Sequence, residues 1–171
     1  QRELGSDITV SLSRYNDAKG GFCGYGDIGT FSSKGVLSTS LSAAVTVARG
    51  TRSSDRTFCT DSTLAHEVGH VLGSNHDRAN TSSGSGGAYS YSYGYGVDGV
   101  FGDIMSYLRP RVAYFSSPSL LTCAGRACGT ATDDAVRTFN NTAPLVATVA
   151  DADSRLSGWY WDPSASGTGW A

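Results

Sequence analysis

The chain has 171 residues, enough for one modest domain with a buried core, and 39% of them are hydrophobic, as in ordinary globular proteins. A formal charge of −2 and a pI near 5.8, with no basic stripe, argue against a nucleic-acid binder. No run approaches the roughly eighteen apolar residues that cross a bilayer, so no membrane span is expected.

Gln1-Arg2-Glu3-Leu4 has neither the basic start nor the apolar run of a secretory leader. A secreted protein would already have lost that segment, so this decides nothing. Asp7–Leu12 alternates polar and apolar residues and predicts a strand. Phe22–Thr30 and Ser42–Ala48 are further strand candidates, the second rich in Val and Ala, with Gly-Ser-Lys loops between them. Cys23, Cys59, Cys123 and Cys128 form an even set without a CxxC pair. Of the three pairings that four cysteines allow, the favoured one closes a short loop with Cys123–Cys128 and ties Cys23 to Cys59. That choice rests on plausibility, and reduced buried thiols are the alternative. Disulfides, together with sparse charge and abundant Gly and Ser, lead us to expect a secreted protein.

A helix follows. Asp61 or Ser62 can cap it, and Leu64, Val68, Val71 and Leu72 give it an apolar side. Gly73 stands where a helix ends on a left-handed residue. Further on, the Tyr–Ser alternation of Ala88–Gly96 reads as an extended strand or a surface loop, in preference to a stacking platform. Thr132-Asp133-Asp134 predicts a second helix start, with acidic residues at its positive end. Ala135, Val136, Phe139, Ala143, Val146 and Val149 then recur at helical spacing, and Pro144 should kink or restart the helix. All three tryptophans, Trp159, Trp161 and Trp170, fall in the last fifteen residues. We expect a catalytic domain over residues 1–155 and a Trp/Gly-rich tail over 156–171, read as the start of a second module.

The chemistry is concentrated in the first helix. All three histidines lie in His66-Glu67-Val68-Gly69-His70-Val71-Leu72-Gly73-Ser74-Asn75-His76. His66 and His70 are one turn apart on one face, and a turn at Gly73 lets His76 approach from beyond the helix end. Three neutral imidazoles suit one Zn2+ ion, and Glu67 beside the first of them suits a general base acting on water. HExxH alone is moderately specific; the third His and the Gly make the pattern strong. A closed structural zinc site would need a fourth protein ligand, and there is no spare His. A two-His-plus-Glu site would need a downstream Glu, but the only other glutamate is Glu3. A catalytically silent zinc-binding module remains the alternative, and the presence of Glu67 counts against it.

With HExxHxxGxxH followed by a single methionine, Met105, in Asp103-Ile104-Met105-Ser106-Tyr107, the chain resembles the metzincin metallopeptidases. In that family the Met forms an apolar floor under the metal. Asp77 after the third His resembles the reprolysin branch. Tyr107, two residues after the Met, is similar instead to astacins and serralysins, where such a Tyr ligates zinc and stabilises the oxyanion. The mixture most resembles bacterial reprolysin-like and peptidyl-Asp (Asp-N-like) metallopeptidases. Cys23-Gly24-Tyr25, His76-Asp77-Arg78 and Ala113–Pro118 look like that group, as does Ala135–Ala143, and the likeness runs over residues 5–150.

The resemblance implies an α/β (α+β) fold with a mixed, mostly parallel sheet, an active-site helix beneath the cleft and an irregular C-terminal subdomain. It also implies that the N-terminal part of such a domain is missing here. The expected activity is that of a secreted, monomeric zinc endopeptidase acting on protein or peptide substrates. The peptide would run along a sheet edge within Phe22–Thr30. Leu108-Arg109-Pro110-Arg111 would wall a pocket, and Arg109 and Arg111 would favour acidic side chains on the primed side.

Overall fold

The computed structural model describes residues 7–14, 23–28, 31–32, 34–37, 44–49, 59–60, 62–82 and 86–148. The proposed boundary at 155, the Trp-rich tail and the alternative cap Asp61 lie outside these residues. Three of the expected strands form, each shifted or shortened. β1 (Thr9–Arg14) and β2 (Gly24–Gly26) precede β3 (Ala44–Arg49) in one sheet of order β1-β3-β2. β1 pairs with β3 in parallel over six residues, from Thr9 opposite Ala44 to Arg14 opposite Arg49. β2 pairs antiparallel with the other side of β3 over three, with Tyr25 opposite Thr46. The sheet is therefore mixed, with the longer pairing parallel, and among the described residues β2 lies at an edge.

α1 (Thr63–Val71) lies against β2 and β3. Its apolar side meets the central strand where Val71 packs on Val45, with Ile8 and Val68 around them. Ser62 precedes the helix as expected, but its hydroxyl pairs with Thr60 Oγ1 at 2.9 Å rather than capping the helix. The C-terminal stop follows the sequence closely. Gly73 has φ +88°, its N–H donates to His70 O, and the Ser74 N–H donates to Gly69 O. This double closure satisfies the last carbonyls and reverses the chain.

Among the described residues between the helices, regular structure is scarce and consists of a hairpin of β4 (Gly96–Val97) and β5 (Phe101–Gly102). The Tyr–Ser stretch is a loop with its small residues turned inward. Ala88 and Ser92 are buried, and Ser92 Oγ pairs with Thr138 Oγ1 at 2.7 Å, while the half-buried Tyr89 and Tyr91 rings stack at 5.1 Å, Tyr89 against the Phe31 and Val146 cluster. A satellite core forms where Phe101 meets the Cys123–Cys128 disulfide, flanked by Tyr95, Val97 and Val112. The second disulfide is Cys23–Cys59, so both bonds match the favoured pairing.

α2 (Ala135–Val146) begins where predicted, with Asp134 accepting the Arg137 N–H at 2.9 Å. Pro144 neither restarts nor interrupts this helix. It is the third residue from the end, so the one backbone bond it cannot donate, to the carbonyl four residues back, lies in the last turn.

Candidate metal and active site

The turn at Gly73 brings His76 back beside the face of α1 that carries His66 and His70. The three Nε2 atoms converge to 3.1 Å (His66–His70), 3.1 Å (His70–His76) and 3.2 Å (His66–His76). Two of the rings are fixed from behind. His66 Nδ1 lies 2.7 Å from Ile104 O, and His70 Nδ1 lies 2.9 Å from Ser74 O. A carbonyl oxygen only accepts, so both Nδ1 atoms carry the hydrogen, and both Nε2 lone pairs face inward. Inward lone pairs on His66 and His70, with His76 Nε2 beside them, repel one another unless a cation stands among them. A tetrahedral zinc with Zn–N bonds of about 2.0–2.1 Å needs nitrogens about 3.3 Å apart, close to the spacing seen. The donor set therefore fits zinc, and among the described residues this is the one cluster of this kind.

Burial drives the electrostatics. It lowers His66 to about 3, with His70 adding repulsion, and lowers His76 to about 4; His70 is lowered as well. Neutral imidazole is the ligand form, so the site is held ready for a metal. Glu67 is buried beside His66, and burial pushes its carboxyl up to about 7, against a pull from the Gly26 amide.

Met105 is fully buried beneath the helix. A side chain at Gly69, between the two helical histidines, would place its Cβ 2.5 Å from Met105 Sδ. Tyr107 Oη lies 2.9 Å from His76 Nε2, and the two rings are 4.4 Å apart. Burial raises the Tyr107 phenol, with Glu67 adding to the effect, so it stays protonated at neutral pH. A cleft of about 350 Å³ opens over the triad. It is lined by Gly24–Ile28, His66, Glu67, His70, Asn75, His76, Ser82 and Tyr107, and by neither arginine. Arg109 is exposed. Arg111 is half-buried, with its guanidinium carbon 5.9 Å from the centre of the Tyr107 ring.

Two parts of the site were not singled out by sequence as site residues. The Asp77 carboxylate accepts from Ser106 Oγ (2.9 Å), the Tyr107 N–H (3.0 Å) and Asn80 Nδ2 (2.8 Å), joining the third histidine to the methionine turn. Its place directly after His76 was the available signal. The other part is Gly24 and Gly26 of β2, which form the cleft wall next to Glu67.

A family model described as Metallo-peptidase family M12B Reprolysin-like matches residues 1–134. The chain belongs to this reprolysin-like metallopeptidase family. Its peptidase character and the zinc-compatible triad therefore agree with each other. No curated protein matches the sequence. A solved structure described as "Structure of a chaperone-substrate complex" superposes with a TM-score of 0.56 at 19% identity, over 85% of this chain and 21% of that one. At that identity the likeness concerns the fold alone, and the chain spans about a fifth of the other's length. No described helix is long and apolar enough to cross a membrane.

Proposed function

We propose that this reprolysin-like chain is an active, secreted zinc endopeptidase, acting as a monomer. His66, His70 and His76 hold the ion, and Glu67 serves as general base. The observation that carries this reading is the convergence of three inward Nε2 atoms at the floor of an open cleft, with one carboxyl beside them. Zinc, when bound, supplies Lewis acidity that acidifies water and polarises the scissile carbonyl.

The protein's own groups perform the rest. A peptide lies extended against the free edge of β2, where main-chain pairing gives affinity without demanding a sequence. Glu67, with a carboxyl near pKa 7, takes the proton from the attacking water as its oxygen bonds the carbonyl carbon. The same carboxyl then delivers that proton to the amine as the C–N bond breaks. Tyr107 Oη, kept protonated by burial, donates to the carbonyl oxygen as negative charge builds there.

The likeness to bacterial peptidyl-Asp enzymes and the Arg109–Arg111 segment support a preference for acidic side chains on the primed side. Arg111, half-buried beside Tyr107, is the better candidate to read a carboxylate, with Arg109 at the outer rim. A peptide panel with and without Asp or Glu tests this, and equal cleavage rules it out. Both disulfides support an oxidising, extracellular setting.

The deciding experiment measures zinc content and casein hydrolysis for the parent chain and for Glu67→Ala. Stoichiometric zinc in both, with hydrolysis lost only in the variant, is the expected result. Zinc bound by the parent without hydrolysis would leave a silent zinc module or an inactive fragment of the protease instead.

A further inference from the structure

Glu67 is seated against bare backbone, and two glycines of β2 make that seat. A Cβ at Gly24 would fall 2.5 Å from both Cγ and Oε1 of Glu67, and 2.8 Å from its Cδ. At Gly26 it would fall 2.3 Å from the Glu67 carbonyl oxygen and 2.9 Å from its carbonyl carbon. Neither glycine has a positive φ, so backbone conformation does not require them; the space they leave does. Tyr25 between them is 65% exposed and takes no part in the seat. The Cys23–Cys59 disulfide joins the residue before Gly24 to a segment four residues ahead of α1. Strand and helix are thus tied covalently right beside the contact.

The two collisions differ in kind. At Gly26 the obstacle is helix backbone, which cannot move without parting α1 from the sheet. At Gly24 the obstacle is the Glu67 side chain from Cγ outwards, which can turn without parting the helix from the sheet. We propose that Gly24 is a positioning residue for hydrolysis: its missing side chain lets the Glu67 carboxyl stand against the β2 edge, facing the cleft beside the triad. This rests on the reading of Glu67 as general base.

The test compares Gly24→Ala, Glu67→Ala, Glu67→Asp and the pair Gly24→Ala/Glu67→Asp in the full chain, with Gly86→Ala as control because nothing lies within 4 Å of a Cβ there. Zinc stoichiometry, thermal midpoint, KM and kcat are read for each. Misplacing a reacting group by about 1 Å costs on the order of 100-fold in rate, so Gly24→Ala should lose about 10- to 100-fold in kcat. KM, zinc content and melting temperature should stay near the parent's. Both substitutions act on the same carboxyl, so the loss of the pair should depart from the product of the two single losses.

Outcomes separate cleanly. Hydrolysis by Glu67→Ala would sink the reading of the base itself. A dead Glu67→Ala beside a Gly24→Ala of parental kcat would overturn the positioning role alone. So would a Gly24→Ala that melts early or loses zinc, because the collision would then be with the fold and not with the carboxyl.

Discussion

Asp77 shows how much one side chain does in this site. Its carboxylate stays ionised although burial alone would raise its pKa, because the Tyr107 N–H, Asn80 and Ser106 donate to it and hold the pKa below the usual carboxylate value. Asp77→Ala would leave the Tyr107 N–H and the Ser106 hydroxyl without their acceptor. A loss of about 2–3 kcal/mol in chemical denaturation is expected, since an orphaned buried group costs about 1–3 kcal/mol. The stabilisation Asp77 brings is present above its unfolded pKa and disappears as pH falls through the lower folded value. For Tyr107→Phe, the loss of one oxyanion donor predicts a kcat lower by about 100-fold or somewhat more, with zinc content unchanged. An unchanged kcat in that variant would remove Tyr107 from the chemistry.

At the scale of elements, α1 and its stop were legible because helix chemistry is local. The apolar side repeats at helical spacing, and one glycine at the right place permits the reversal. Gly73→Ala tests this. The left-handed φ costs a residue with a Cβ about 1–2 kcal/mol, and that atom would also stand 2.7 Å from Ala88 Cβ. A lower melting temperature and weaker zinc binding should appear together, because His76 depends on that turn. α2 was legible for the same reason, through its Asp134 cap. The stretch between them was not. It is held by bonds with no period, such as Arg78 Nε to Asp133 at 2.6 Å and Arg78 Nη2 to the Thr132 carbonyl at 2.6 Å, across more than fifty residues. Tyr–Ser alternation fits a strand as well as a folded loop, and here its tyrosines are half-buried in a loop, with Tyr89 and Tyr95 packed on core clusters.

At the scale of the whole molecule, the pH dependence of the metal-free protein's stability is set by opposing groups. His66 and His76 have folded values of about 3 and about 4, below an ordinary 6.5. The unfolded chain therefore gains protons first, and stability falls as pH drops below about 6.5. Asp103 behaves in the opposite sense. It is fully buried, and burial raises it to about 7 against a weaker pull from the backbone amides of Tyr95, Ser106, Ser116 and Met105. The folded state keeps this proton where the unfolded chain releases it, so stability falls as pH rises from about 4 towards 7. Between about pH 4 and 6.5 the two contributions oppose each other, so removing the falling one in Asp103→Asn should make the thermal midpoint of the metal-free protein rise more steeply with pH than the parent's. Parallel curves would show that Asp103 is not the group responsible.

The bond from His66 Nδ1 to the Ile104 carbonyl has a consequence for how the molecule ages in use. All three proposed ligands come from eleven consecutive residues, yet one of them leans on a turn near thirty positions beyond the last. That turn is pinned in its own right by the Ile104 N–H on the Tyr114 carbonyl. A ligand that binds only the folded form at 1,000 times its Kd adds about 4 kcal/mol of stability. Through the imidazole that gain reaches a region with little helix or sheet of its own. Chelation should therefore speed amide hydrogen exchange around Ile104 and Tyr114 more than within β1 or β3. A peptidase stripped of its ion would then offer its own loops as cleavage sites to molecules that still hold one, so metal occupancy would govern lifetime as well as turnover.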